Sequence, residues 1–305
     1  MMLGVPVNIR QQQGVALLMA MLVVALASVT AVTLMHDQTL SVRRTGNILG
    51  NDIAMMYAMT LEDLAKLSLQ RDFTLNKIDG LTDKWASEEG FFTAIEGGAL
   101  GGTITDEQAK INLNGVLDKE TEDRLRALCN NLQVSPEFID AVKDWIDDDL
   151  DTVSPDGAED DYYTSLEVPY RAANRPMADI SELLLVRAVD NKVYQELLPY
   201  ITVLPAATSL NINTMTDQVY LTLDKNLDAK KFIKEREGKP FSSLQDYKKR
   251  MNHTLPANGI SVKTEYFLAS GQVVLDDKVL TVTTLIHRDS KGVTTIVRRK
   301  LGAFS

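Results

Sequence analysis

Residues 15–35 read VALLMAMLVVALASVTAVTLM, with no charge and no proline. At about 1.5 Å of rise per residue, a helix of roughly 20 apolar residues matches the hydrocarbon thickness of a bilayer. A secretory signal has a shorter apolar core, a basic front and a small-residue cleavage site behind it. Here the run is too long, and the triplet Ala25-Leu26-Ala27 falls inside it. The stretch therefore reads as a single N-terminal membrane anchor. Arg10 precedes it, while Arg43 and Arg44 follow. The loop-charge rule alone would place the following domain in the cytoplasm.

Helical spacing continues beyond the span. Leu40, Ile48, Ile53, Met56, Leu61, Leu64 and Leu67 recur at intervals near three and four, with Arg43, Arg44, Asp52, Glu62, Asp63 and Lys66 on the other faces. One long helix is expected to leave the membrane over 36–70 and pack on the domain that follows. The C-terminus carries TEYFLASGQVVL, VLTVTTLIHR and GVTTIVRRKLG, rich in β-branched residues and separated by Asp276-Asp277 and DSKG (289–292). These predict an antiparallel meander. A further β signal lies at 91–114, with Gly97-Gly98 as turn material. Residues 71–116 and 255–305 are thus expected to form one α/β domain. Between them, 117–254 is helical in pattern, including KETEDRLRALCNNL and SPEFIDAVKDWID, where Ser135-Pro136 predicts an N-cap and a first-turn proline. The expected fold class is α+β, with a long N-terminal helix on an antiparallel sheet and a large inserted all-α domain.

Composition excludes several functions. The 305 residues carry 32 basic and 42 acidic side chains, which is no general nucleic-acid footprint. The single cysteine, Cys129, permits no intrachain disulfide and no CxxC metal site; it reads as a small buried residue. His36, His253 and His287 are dispersed, and no HExxH, GxSxG or P-loop pattern is present. An enzyme is not expected.

The residues ahead of the anchor, MMLGVPVNIRQQQG, form a short polar leader ending in Gly14 directly before the apolar helix. That arrangement resembles the prepilin-peptidase substrates of the type IV pilin and type II secretion pseudopilin superfamily. The resemblance implies cleavage of leader 1–14 after Gly14 and N-methylation of Val15. Most such proteins carry glutamate at the fifth mature position, where this chain has Met19. A carboxylate inside an apolar helix is costly unless paired, and the family is thought to pair it with a neighbouring subunit's N-terminal amine. A subunit without it resembles the K-type minor pseudopilin (general secretion pathway protein K), as does the helical insert. The resemblance implies a pilin-like fold, an inner-membrane anchor and a periplasmic domain. It also implies a place at the pseudopilus tip and a need for the subunit in exporting folded exoproteins across the outer membrane. The implied partners are I-type and J-type minor pseudopilins, the major pseudopilin filament, prepilin peptidase and the inner-membrane secretion platform.

Most of the formal charge of -10 is local: DWIDDDLDTVSPDGAEDDYY (144–163) holds nine carboxylates and no base, leaving the remainder near -1. Asp147, Asp149 and Asp151 imitate the opening of an EF-hand loop, but Thr152 stands where glycine is required and Ala158 where glutamate is required. A two-limb cation site remains open, DWIDDD and GAEDDYY folded together by the Ser-Pro-Asp-Gly turn; so does a solvated charge run. With LEVPYRAANRP following, the pattern resembles the K-type helical domain. That resemblance implies structural Ca2+ at Asp147, Asp149, Glu159 and Asp160, with Asp151, Asp161 and Asn174 as secondary candidates. Trp145, Tyr163 and Tyr170 are expected to pack rather than bind. Finally, 210–247 resembles a helix-hairpin-helix module with Asn211–Thr214 as entry cap. Its hairpin, LDKNLDA, lacks the glycine that would present amides to a phosphate. The alternative function is accordingly a membrane-anchored helix-hairpin-helix protein binding DNA, although no nucleic acid is expected.

Overall fold

A computed structural model describes residues 10–302 except Glu88, Ala257 and Asp277, with the side chains of 10–13 left aside. Most of the expected leader, residues 1–9, lies outside the described residues. The described residues of the first compact unit, which ends at Met56, are helical and belong to α1 (Arg10–Leu75). Its 14–35 stretch exposes Leu17, Leu22, Leu26, Val29 and Val32, and this helix is long and apolar enough to cross a membrane. Ser28, Thr30 and Thr33 return their hydroxyls to carbonyls three or four residues back, so the run leaves no hydroxyl donor bare toward lipid.

The second unit, from Tyr57 onward, contains the end of α1 and all remaining elements. β1 (Phe91–Ile95) and β2 (Gly98–Asp106) form a hairpin, then β3 (Ile111–Asn112) leads into the insert. The insert holds α2 (Lys119–Leu132), α3 (Phe138–Ile146), α4 (Asp160–Thr164), α5 (Asn191–Leu197), β4 (Ile201–Thr202), β5 (Leu210–Asn211), α6 (Asp217–Tyr220), α7 (Ala229–Gly238) and α8 (Leu244–Met251). The chain returns through β6 (Ile260–Ser261) to β7 (Tyr266–Leu275), β8 (Lys278–Arg288) and β9 (Thr294–Leu301).

The main sheet has the order β1-β2-β7-β8-β9, antiparallel throughout. β2 and β7 pair from Gly98↔Leu275 to Asp106↔Phe267. The alternating residues of one face, among them Ile104, Phe267 and Ile286, pack against Ala65 and Leu69 of α1. Gly271 permits that approach, since a Cβ there would stand 2.7 Å from Leu61 Cδ1. Glu62, buried under the sheet, is held by Thr284 Oγ1 at 2.5 Å and by both guanidinium ends of Arg299. A separate apolar core fills the insert, built on Leu125, Leu128, Phe138, Tyr163, Leu197, Phe232 and Phe241, with Cys129 buried in it.

Two short parallel bridges, β3·β4 and β5·β6, stitch the chain crossings of the helical insert. Two local expectations are corrected. Ser135 does not cap α3, which begins at Phe138 after a turn closed by Ile139 N to Pro136 O. Asn211–Thr214 does not cap α6 either; Thr216 does. Asn211 and Thr214 instead donate to buried Asp106, whose Oδ2 also takes the Thr264 hydroxyl. Asp106 thus joins the sheet to the interior of the insert and to the segment that leaves it.

Candidate cation site and family assignment

Two acidic trios lie among the described residues of the second unit, and partner accounting separates them. In the first, Asp72 at the end of α1, Asp79 and Asp83 surround Arg288 of β8. Every carboxylate oxygen there has a partner. Arg288 takes Asp79 Oδ1 at 2.5 Å and faces Asp72 Oδ2 at 3.5 Å. Asn76 Nδ2 bridges Asp72 and Asp83, Thr264 N donates to Asp79 Oδ2, and Gly80 N donates to Asp83 Oδ2. Arginine already supplies the counter-charge, so this trio is a structural knot.

The second trio is different. Asp147, just past α3, Asp149 and Glu159, just before α4, each bring one oxygen within 4.8 Å of the others. Asp147 Oδ1 and both oxygens of Glu159 are buried without a hydrogen-bond partner, as is Asn174 Oδ1. Asn174 sits at φ 44 and donates Nδ2 to the Asp149 carbonyl at 2.7 Å. Buried acceptors of this kind are rare in native proteins unless water or an ion satisfies them. An all-oxygen donor set suits a hard cation of the Ca2+ class. The remaining candidates are not part of that trio. Asp160 Oδ1 accepts Ala172 N at 3.0 Å and its Oδ2 faces Arg171 at 3.7 Å, while Asp151 and Asp161 are exposed.

The frame around the trio escaped sequence reading. Asp144, buried on α3, accepts Val153 N through Oδ1, and its Oδ2 fills the space that a Cβ on Gly157 would need. Arg187 Nη1 binds the carbonyls of Pro155 and Gly157, and Ser154 Oγ donates to Asp140. Together these fold the second limb back on the first. Trp145 packs edge-on against Tyr163 and Tyr170, forming an apolar floor. The only sequence signal for this frame was the Asp-Gly pair at 156–157, read as a turn.

Burial and then the charges of Asp144, Asp147, Asp149 and Asp160 push Glu159 up to about 7. Burial, then Asp149, Asp144 and Asp148, push Asp147 to about 6. Both lie above the ordinary values, so the metal-free folded chain binds more protons than the unfolded chain between about pH 4 and 7. In chelator, the thermal midpoint should therefore rise as pH falls from about 8 to 5. Glu159→Gln should flatten that slope, leaving the contributions of Asp147, Asp72 and Asp106, which burial also raises to about 6. A slope unchanged by Glu159→Gln would contradict the crowding of these carboxylates.

Comparison with known proteins bears on the same region. Residues 109–206, most of the insert and the whole acidic loop, match the family model for type II secretion system protein K. Protein K of Pseudomonas aeruginosa is 31% identical over 96% of this chain and 94% of its own length. That of Pectobacterium carotovorum subsp. carotovorum is 32% identical over 96% and 98%. The chain belongs to the type II secretion system protein K family. A solved structure, the GspK-GspI-GspJ complex of enterotoxigenic Escherichia coli, superposes with a TM-score of 0.75 at 25% identity, covering 85% of this chain and 99% of that one. The pilin-like α+β fold with an inserted helical domain is thus the protein K fold, and the chain is a structural minor pseudopilin rather than an enzyme. The helix-hairpin-helix resemblance is reduced to architecture. Asp228 caps α7 by accepting Lys231 N, so a carboxylate occupies the amide that a phosphate would need.

Proposed function

We propose that this protein K forms the tip of the periplasmic pseudopilus with I-type and J-type minor pseudopilins. There it supports export of folded exoproteins across the outer membrane. Prepilin peptidase cleaves after Gly14, Val15 becomes the methylated N-terminus, and the inner-membrane platform and major pseudopilin filament lie beneath. The observation that carries this reading is the helical insert. Seated on the end of the β2–β7 pair, it is too bulky to pass within a helical filament of pilin-like subunits. Met19 in place of a carboxylate agrees, since the chain offers no anionic partner to a subunit ahead of it. Gold labelling of a tagged chain on assembled filaments should mark one end only. Labels along the shaft would defeat the tip reading.

The same proposal places Ca2+ at Asp147, Asp149 and Glu159, with Asn174 beside them. The support is the group of orphaned buried oxygens on a built frame. The cation neutralises the mutual repulsion of the trio and holds the two limbs of the loop together. Its role is structural.

A further inference from the structure

The α7–α8 lobe holds nine basic and four acidic residues between 225 and 250, in a chain whose net charge is -10. Lys225, Lys230, Lys234, Lys239, Lys248 and Lys249 are exposed and have no carboxylate partner among the described residues. Elsewhere lysines are commonly paired, as in Lys66–Asp63, Lys110–Glu107, Lys143–Glu122 and Lys192–Glu196. Charges in water are screened within about 8 Å at physiological salt, so this local excess, not the net charge, governs what the lobe attracts.

Geometry puts these lysines on the outward side. On α7, Lys230 and Lys234 stand one turn apart, opposite buried Phe232 and Arg236. On α8, Lys248 and Lys249 turn away from buried Tyr247 and Met251. The helices are sewn together by Lys231 Nζ to Met251 O at 3.3 Å and by Arg250 to Glu235 at 3.1 Å. The arginines are consumed inside: Arg236 donates to Met215 O, and Arg250 also caps Lys239 O. The aromatics Tyr220, Phe232, Phe241 and Tyr247 are fully buried.

We propose that the outward lysines of the α7–α8 lobe form an electrostatic docking surface for an anionic phospholipid bilayer. The chemistry narrows the partner. No exposed ring is offered for base stacking, no free guanidinium fork for bidentate phosphate readout, and the α7 amides are capped by Asp228. What remains is a set of mobile, hydrated point charges, which fit a diffuse anionic surface. The contact is separate from the membrane anchor and does not depend on tip placement.

The test uses the full chain in nanodiscs of phosphatidylcholine. These are floated with vesicles of phosphatidylcholine alone or with about 30% phosphatidylglycerol. Binding should appear only with the anionic vesicles and weaken as salt rises. Combining Lys230→Gln, Lys234→Gln, Lys248→Gln and Lys249→Gln should lower the apparent affinity by about a hundredfold, at several-fold per lysine. The exposed pair Lys77→Gln and Lys291→Gln should leave it unchanged. Equal flotation with neutral vesicles, or a quadruple variant that floats like its parent at an unchanged melting midpoint, overturns the proposal. So does duplex DNA or polyglutamate that competes at a lower charge concentration than the vesicles.

Discussion

Replacing Arg288 by methionine should remove about 3–5 kcal/mol of folding stability, the usual cost of leaving buried charges without their partner. Arg288 is 3% exposed and touches four segments at once. Its Nη1 donates to Leu69 O at 3.2 Å, near the end of α1, and lies 3.5 Å from Asp72. Its Nη2 reaches Asp79 and, at 3.1 Å, Thr264 O at the exit of the insert. The guanidinium also lies over Phe267 and Phe73. Methionine preserves much of the volume but leaves Asp72, Asp79 and Asp83 facing one another without a cation. Burial, and with it the charges of Asp83 and Asp79, already raises Asp72 to about 6. Denaturant unfolding of the full chain in detergent measures the loss. Adding Asp79→Asn to Arg288→Met should recover part of it, because one orphaned charge is removed. A loss below about 1 kcal/mol, typical of surface ion pairs, would show that water reaches the knot.

The second large effect is expected on withdrawing the proposed calcium. A cation at a thousand times its Kd stabilises the native state by about 4 kcal/mol if the unfolded chain does not bind it. For a unit of this size that is a drop of about 10 °C in thermal midpoint on chelation. Terbium offers an independent readout, since Trp145 lies two residues before Asp147 and can sensitise its luminescence. Glu159→Gln should weaken both signals, whereas Asp161→Asn, at an exposed carboxylate outside the trio, should change neither. Identical midpoints with calcium and with chelator would return the loop to a solvated charge run.

Much of this architecture was legible because it rests on periodicity. The apolar run from Val15 and the alternation in 266–301 specify a spanning helix and a meander through side-chain spacing alone. Asp276, which takes φ 52 directly after β7, follows from ordinary turn chemistry. The acidic loop was legible as charge but not as geometry. Which carboxylates converge depends on contacts from distant positions: Asp144 against Gly157, and Arg187 on the loop carbonyls. Asp160 is turned aside by Ala172 N and Arg171, partners twelve and eleven residues away whose folding back has no local signature. Ser135-Pro136 misled for a related reason. The helix start was set by burial of Phe138 and Ile139 rather than by the nearest capping side chain.

The pairing of Asp106 with Phe267 makes β2 and β7 a hairpin whose loop, about 160 residues, contains the entire insert. Loop closure grows only logarithmically, so enlarging a four-residue turn to that size costs about 3 kcal/mol if the loop is unstructured. A loop that folds first brings its own ends together and avoids most of that cost. Topology then favours one folding order, in which the inserted lobe becomes compact before the central strands of the sheet pair. The same arithmetic makes the lobe a graftable unit, which a pilin-type sheet could acquire at one turn without changing the register of any strand.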